Sequence, residues 1–330
     1  VVSIFDEWLS NFWLALLLKT VLVLGFFLVV PLVVGYMEHK VLAHMQARLG
    51  PMEAGRFHGW AQLVADGVKF IQKEDVVPAA ADRAVFSLAP GVALIPYIVV
   101  IVVLPFGPNI WALDLDAGIF FAMAMSSVGV LGVLMAGWAS ANKFSLMGAL
   151  RAAAQLIAYE LPLVLAAAAV VMQAGTMSLV GVSEAQWEYW FVLFQPIGFL
   201  IFMMSAVAEL TRPPFDMPVA DSEIIFGAFT EYTGLKFAFF LLAEYGGIVV
   251  MSGIASVLYL GGYQPLRGMA AIPGPLWMIA KIFALSFVIV WLRATFPRLR
   301  EDQLQRFSWL FLTPLALLQI MVVAFMKVWR

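Results

Sequence analysis

Three glutamates, Glu160, Glu209 and Glu244, stand inside apolar runs of a 330-residue chain that is 63% hydrophobic and only 12% charged. A charge at the centre of a bilayer costs ~3 kcal/mol or more, so an ionisable side chain there is a functional candidate by default. A carboxyl group in such surroundings can take up, hold and pass on a proton. Glu209 stands one residue from the end of its run and Glu160 some 4–8 residues into another. Glu244 is nine residues into a third, ~14 Å deep at 1.5 Å per residue. The depths step from shallow to central, as a proton ladder would. Structural readings compete with this one: Glu209 pairs with Arg212 or snorkels, and Glu160 satisfies a helix end or pairs with Arg151. Glu244 has no basic neighbour in sequence.

Two loops carry further ionisable groups. Residues 36–83 hold 12 charged side chains, six of the 19 Lys and Arg, and all three His (His39, His44 and His58). The segment AELTRPPFDMPVADSEIIFGAFTEYTG sets Glu209, Asp216, Asp221, Glu223 and Glu231 against a single Arg212. Pro213, Pro214 and Pro218 stiffen it against helix. It reads either as a solvated cap or as an acidic entrance feeding protons to the buried glutamates.

The elements that position these groups are membrane spans. About 20 apolar residues cross a bilayer as a helix, and eight stretches qualify: Phe12–Gly35, Ala84–Leu104, Ala117–Ala139, Ala152–Met172, Trp190–Leu210, Leu235–Leu260, Leu276–Leu292 and Phe307–Val328. The seventh is the shortest. Period-two alternation is absent, which argues against a barrel. The expectation is an all-α polytopic bundle, one integral membrane unit over residues 1–330. Asp6 and Glu7 near the start and a 24-residue first run point to a spanning helix rather than a cleaved signal.

The loops 36–83, 140–151, 211–234 and 293–306 carry 13 Lys and Arg, whereas the opposite set with both termini carries Arg267 and Arg330. The positive-inside rule places the basic loops in the cytoplasm and both termini outside. Lys19, Lys236, Lys281 and Lys327 lie within the spans and can snorkel. With no cysteine, the chain offers no disulfide, thiolate zinc site or cysteine-ligated iron–sulfur cluster. In the first loop Trp60, Leu63, Val64, Gly67, Val68 and Ile71 fall on one helical stripe, opposite Gln62, Asp66, Lys69 and Lys73. This predicts an amphipathic helix in the membrane interface, or a brace under the bundle.

The blocks EHKVLAHMQARLGP, QLVADGVKFIQKED, ALRAAAQLIAYE, AELTRPPFDMPVADSE, TEYTG, AEY and WLRATFPRLREDQL, in this order along nearly the whole chain, resemble the H subunit of bacterial respiratory complex I. That enzyme is the NADH–quinone oxidoreductase, and the mitochondrial counterpart of this component is subunit 1 of NADH dehydrogenase. The resemblance implies a membrane-arm subunit of a proton-pumping enzyme in the cytoplasmic membrane, which helps form the quinone chamber and couples quinone reduction to proton translocation. It places Glu38, Arg48, Asp66, Lys69, Glu74, Asp75, Arg212 and Arg293 at the chamber. It places Glu160, Glu209, Asp216, Asp221, Glu223, Glu231 and Glu244 on the proton path. Quinone (ubiquinone or menaquinone) is the implied substrate, and iron–sulfur clusters and FMN belong to partner subunits. The implied partners are the other membrane-arm subunits, the peripheral iron–sulfur arm and membrane lipids, with no nucleic acid.

The chain departs from the family pattern at His39, at Met52-Glu53, at Val219, where a Glu is usual, and at Asp221, which replaces a Glu. One carboxylate of the acidic loop is thereby missing. Two other readings stay open: the equivalent subunit of a membrane-bound hydrogenase or ferredoxin-linked complex, and a stand-alone ion transporter, which would show repeats or broken helices around a midplane site.

Overall fold

The computed structural model describes Phe5, residues 11–266 and residues 272–329. Asp6, Glu7, Arg267 and Arg330, which bear on the signal and orientation readings, lie outside the described residues, as do the side chains of Asp221 and Ser222. Among the described residues there is no strand, and the chain is a bundle of helices.

Helix α1, Phe12–Met45, is 34 residues long, ~51 Å at 1.5 Å per residue. It outruns a hydrocarbon core of ~30 Å, so residues 36–45, read above as loop, continue the helix and carry Glu38 with it. Asn11 caps its start by accepting from the Trp13 amide at 3.0 Å. A short helix, α2 (Gln62–Gln72), follows. Next come α3 (Arg83–Val103), capped by the Asp82 carboxylate, and α4 (Gly118–Ala139). Helix α5 (Lys143–Ala174) is capped by Asn142 and ends at Gly175, in the left-handed conformation that glycine accepts without strain. It begins nine residues before the run read from sequence, so Arg151 is helical. The fold continues with α6 (Leu179–Ala185), α7 (Pro196–Glu209), α8 (Gly234–Tyr259) and α9 (Gly274–Thr295). Last, α10 (Glu301–Phe307) passes through one π turn, Ser308–Leu312, into α11 (Thr313–Val328).

Seven of these rods are long and apolar enough to cross a membrane, counting Glu301–Val328 as one. The expected span Trp190–Leu210 is different. It is a 3₁₀ turn at Phe191–Leu193 followed by α7, only 14 residues long, or ~21 Å. Pro196 at its first turn explains the break, because proline opens a helix well but cannot continue one. The segment expected to be shortest, Leu276–Leu292, is a full 22-residue helix.

Helices α3 and α4 pack most extensively. Their approach depends on Gly132, where an added Cβ would fall 2.4 Å from the Ala93 backbone nitrogen. Small residues at such crossings let helix backbones meet where lipid supplies no hydrophobic drive between them. At one end of the bundle the loops are tied together: Asp82 N–H donates to Ala139 O at 3.1 Å and Leu299 N–H to Pro214 O at 3.0 Å. Val76 N–H donates to Thr233 Oγ1 at 3.1 Å. At the other end Lys281 is buried and donates to the carbonyls of Leu260, Gly262 and Gln264 at 2.6–2.7 Å. It thus satisfies the end of α8 and the turn beyond it rather than snorkelling outward.

Gly132→Leu should therefore destabilise the bundle by about 1–3 kcal/mol or more through overpacking. Gly91→Ala, on the same helix pair but with open space at its Cβ, should be neutral or slightly stabilising. Thermal unfolding of the detergent-solubilised protein checks the contrast.

Candidate functional site

Four elements converge on one buried charge cluster. The overrun of α1 delivers Glu38, the turn after α7 delivers Arg212, α8 delivers Glu244 and the last turn of α9 delivers Arg293. Arg212 Nη1 donates to Glu38 Oε2 at 2.6 Å, and Arg293 Nη1 donates to the other oxygen, Oε1. Arg212 Nε pairs with Glu244 Oε1 at 2.7 Å. The Tyr245 ring covers Arg212, its centroid 4.8 Å from Cζ. Glu38 and Arg212 are almost fully buried, whereas the Glu244 and Arg293 side chains keep 34% and 37% exposure. Two carboxylates against two guanidiniums leave the ionised cluster neutral. Burial works against the Arg212 charge, but the carboxylates of Glu244 and Glu38 outweigh it and hold the guanidinium above its ordinary range.

The turn that presents Arg212 is fastened from behind. Thr211 takes a positive φ of 53°, which ends α7 abruptly and redirects the chain. Gln155, buried on α5, donates to the carbonyls of Ala208 and Phe215 and so clamps both ends of the turn. The following loop lies on the backbone of α5, where a Cβ on Gly148 would fall 2.6 Å from Pro218 O.

Glu244 stands between two cavities. The outer one, about 210 Å³, is lined by Arg293, Glu244, Asp216 and Tyr245 with the rings of Phe226, Phe229, Phe237 and Phe240. The inner one, about 60 Å³, is shared by Glu244, Glu209 and Tyr97. Glu209 is buried, and neither of its oxygens accepts a hydrogen bond from a described residue. The neighbouring Ser126 hydroxyl spends its hydrogen on Met123 O at 2.8 Å. Glu160 accepts from Ser127 Oγ at 2.6 Å. In space the carboxylates thus run Glu38, Glu244, Glu209, Glu160, which is not the order that depth along the sequence suggested. Arg212 turns to Glu38 and Glu244 rather than to Glu209, and Arg151 turns to Glu223 and Glu301 rather than to Glu160.

The remaining sequence candidates lie around this centre. Asp66 pairs with Lys69 at 3.3 Å and accepts from Gln62 on α2. Arg48 donates to Gln46, Asp75 pairs with Lys236 at 2.9 Å, and the Glu74 carbonyl accepts from Thr233 Oγ1. None of these lines the two cavities. Glu231 accepts from Asn142 at 2.6 Å. Glu223 is bridged by Arg151 at 2.6 Å and Arg298 at 3.4 Å. Val219, at the family departure, lines both cavities with an apolar side chain. At the other departure, Met52 Sδ lies 3.2 Å from Lys40 Nζ, which also donates to Pro51 O. Sequence reasoning passed over Tyr245, although it adjoins Glu244 in the AEY block, and Tyr97, which no motif marks.

A polytopic helical membrane protein with a buried carboxylate–guanidinium cluster opening on an aromatic cavity is the class that fold and site define. Residues 18–324 match the NADH dehydrogenase family model, and the chain belongs to that family. It is 46% identical over 292 residues to the H subunit of the NADH-quinone oxidoreductase of Geobacillus kaustophilus, covering 88% of each chain. It is 46% identical over 290 residues to the corresponding H subunit of Geobacillus thermodenitrificans (88% and 87% covered), and 45% identical to that of Bacillus mycoides over the same shares.

Removing Arg212 alone leaves Glu38 and Glu244 partly uncompensated, so Arg212→Met should cost about 3–5 kcal/mol of stability, read as a lowered Tm. The latch at Glu223 gives a pH prediction. The hydrogen bond from Arg151, followed by the charges of Arg298 and Arg151, holds Glu223 below its ordinary value. Its contribution is therefore complete above the unfolded value of about 4.3 and lost as pH falls through the lower folded one. Glu223→Gln should flatten the fall of Tm on the acid side of about pH 4.3.

Proposed function

We propose that this chain is the membrane-arm subunit of a proton-pumping quinone oxidoreductase, and that the outer cavity receives the quinone headgroup. The observation that carries the reading is the position of Glu244, whose one carboxylate both closes an ion pair at the aromatic cavity and borders the inner cavity that leads to Glu209. At about 210 Å³ the outer cavity is smaller than the ~300–1,000 Å³ of a site for a whole drug-sized ligand. It suits a ring headgroup whose isoprenoid tail extends outside. Phenylalanine rings supply apolar and stacking surface, and Arg293 supplies a donor for a quinone carbonyl.

The electrons come from an iron–sulfur cluster in a partner subunit. Negative charge developing on the head would engage Arg293 and repel the Glu244 carboxylate that lines the same cavity. A carboxylate so repelled binds a proton and gives up its pairing with Arg212. Glu209 and Glu160 extend the route, while the loop carboxylates Asp216, Asp221, Glu223 and Glu231 supply it from the cytoplasmic side. The basic loops face the cytoplasm and the termini face outward, by the charge asymmetry of the loops. Helix α2 and the turn before it, which expose Trp60, Val64, Val68 and Ile71 while Leu63 packs on Gly35 of α1, lie along the interface beside the passage the tail takes. The partners are the other membrane-arm subunits and the peripheral arm, whose electron donor is NADH.

Glu244→Gln in the assembled complex should abolish proton translocation while leaving quinone binding intact. Wild-type pumping at wild-type turnover would remove Glu244 from the route. A photoreactive quinone should label the 226–245 segment. Labelling confined to the loops at the opposite end of the bundle would overturn the chamber assignment.

A further inference from the structure

Two hydroxyl-bearing side chains, Tyr97 and Thr211, line the inner cavity beside its two carboxylates; Thr211 also borders the outer cavity, whereas Tyr97 borders the inner one alone. Tyr97 projects from α3, is 7% exposed, and lines that cavity together with Glu209 and Glu244. Its ring is seated in a slot that two glycines leave open. A Cβ on Gly129 of α4 would come within 3.2 Å of the Tyr97 hydroxyl oxygen, and one on Gly247 of α8 within 3.2 Å of the ring edge. The slot fixes where the hydroxyl points, because the backbones of α4 and α8 bound it on two sides.

Three other buried tyrosines spend their hydroxyls on the backbone. Tyr159 donates to Leu304 O at 2.9 Å, Tyr232 to Phe86 O at 3.0 Å and Tyr259 to Ala166 O at 3.1 Å. The Tyr97 hydroxyl makes no such bond to a described residue, and the charges it feels are those of Glu209 and Glu244. Glu209, for its part, has two buried oxygens that accept no hydrogen bond from a described residue, the adjacent Ser126 hydroxyl being turned to Met123 O. A donor without an acceptor and an acceptor without a donor thus share a cavity of about 60 Å³, room enough for water, which needs ~10–15 Å³ of such space.

We infer that the Tyr97 hydroxyl relays protons between Glu244 and Glu209. The Tyr97 oxygen accepts the proton of the Glu244 carboxyl, directly or through a water in the cavity, while its own proton passes to the Glu209 carboxylate. Glu244 ends ionised, Glu209 ends protonated and the tyrosine is unchanged, so no oxidant, reductant or other co-reactant is required. A hydroxyl both accepts and donates, which is why a phenylalanine of the same shape cannot serve.

The inference rests on the proton-route reading above, and the test separates the two. Tyr97→Phe, Glu209→Gln and Glu244→Gln are each introduced into the assembled complex. Quinone reduction and proton uptake are then followed in proteoliposomes, in H₂O and in D₂O. The expected result is at least a ten-fold loss of translocation in all three variants, with an enlarged solvent isotope effect in Tyr97→Phe. Translocation retained in Tyr97→Phe but lost in both Gln variants overturns the relay and leaves the carboxylate route standing. Translocation retained in either Gln variant overturns the route and the relay with it. Should Tyr97→Phe fail to assemble, fluorotyrosine at position 97 keeps the ring and acidifies the hydroxyl. A relaying hydroxyl then shifts the pH profile of translocation to lower pH, and an unmoved profile overturns the inference.

Discussion

The shared carboxylate of Glu38 is the constraint on which the rest depends. Two guanidiniums, Arg212 and Arg293, bind its two oxygens in a place where all three would otherwise be unwelcome. A buried ion pair repays its desolvation only when geometry is good and every charge is matched. That requirement dictates much of the fold at this end of the bundle. Helix α1 must overrun the apolar core to bring Glu38 in. Helix α7 must stop at Glu209, so that Arg212 turns inward three residues later. Gln155 must hold that turn, and α9 must end where Arg293 can reach. These four irregularities of the loop-bearing end serve the same four-membered cluster.

The same arrangement gives the site its asymmetry. Glu38 and Arg212 are sealed, while Glu244 and Arg293 remain partly open to the aromatic cavity. A charge arriving in that cavity meets the two members that can respond, against a core that cannot. Glu209, one helix away and without a counter-charge, is the complementary element: a carboxylate that the fold keeps without the partner its neighbours have. Val219 lines the wall shared by the two cavities with an apolar side chain, so that among the described residues Glu244 is the carboxylate that borders both.

Much of this was legible in the chain. Apolar runs of about 20 residues identified the spans because lipid accepts only backbones that satisfy their own hydrogen bonds. The rarity of charge made Glu160, Glu209 and Glu244 stand out. Seven ordered blocks pointed to the family that the comparisons establish. Boundaries were less legible. Hydropathy marks where a helix leaves lipid, not where it stops, so the polar ends of α1 and α5 were read as loop. The run Trp190–Leu210 was read as one span because its internal break at Pro196 leaves hydropathy unchanged.

What the sequence determined by itself was the class of molecule, the approximate number of its apolar segments and which carboxylates fall inside apolar runs, where a charge is costly. Which charge meets which was decided only by tertiary structure. Arg212 lies three residues from Glu209, yet bonds Glu38, 174 positions away, and pairs with Glu244. Depth along a helix is a one-dimensional measure, and ion pairs form across helices. Tyr97 carries no sequence signal for the same reason, because its setting is made by glycines on two other helices that only packing brings together.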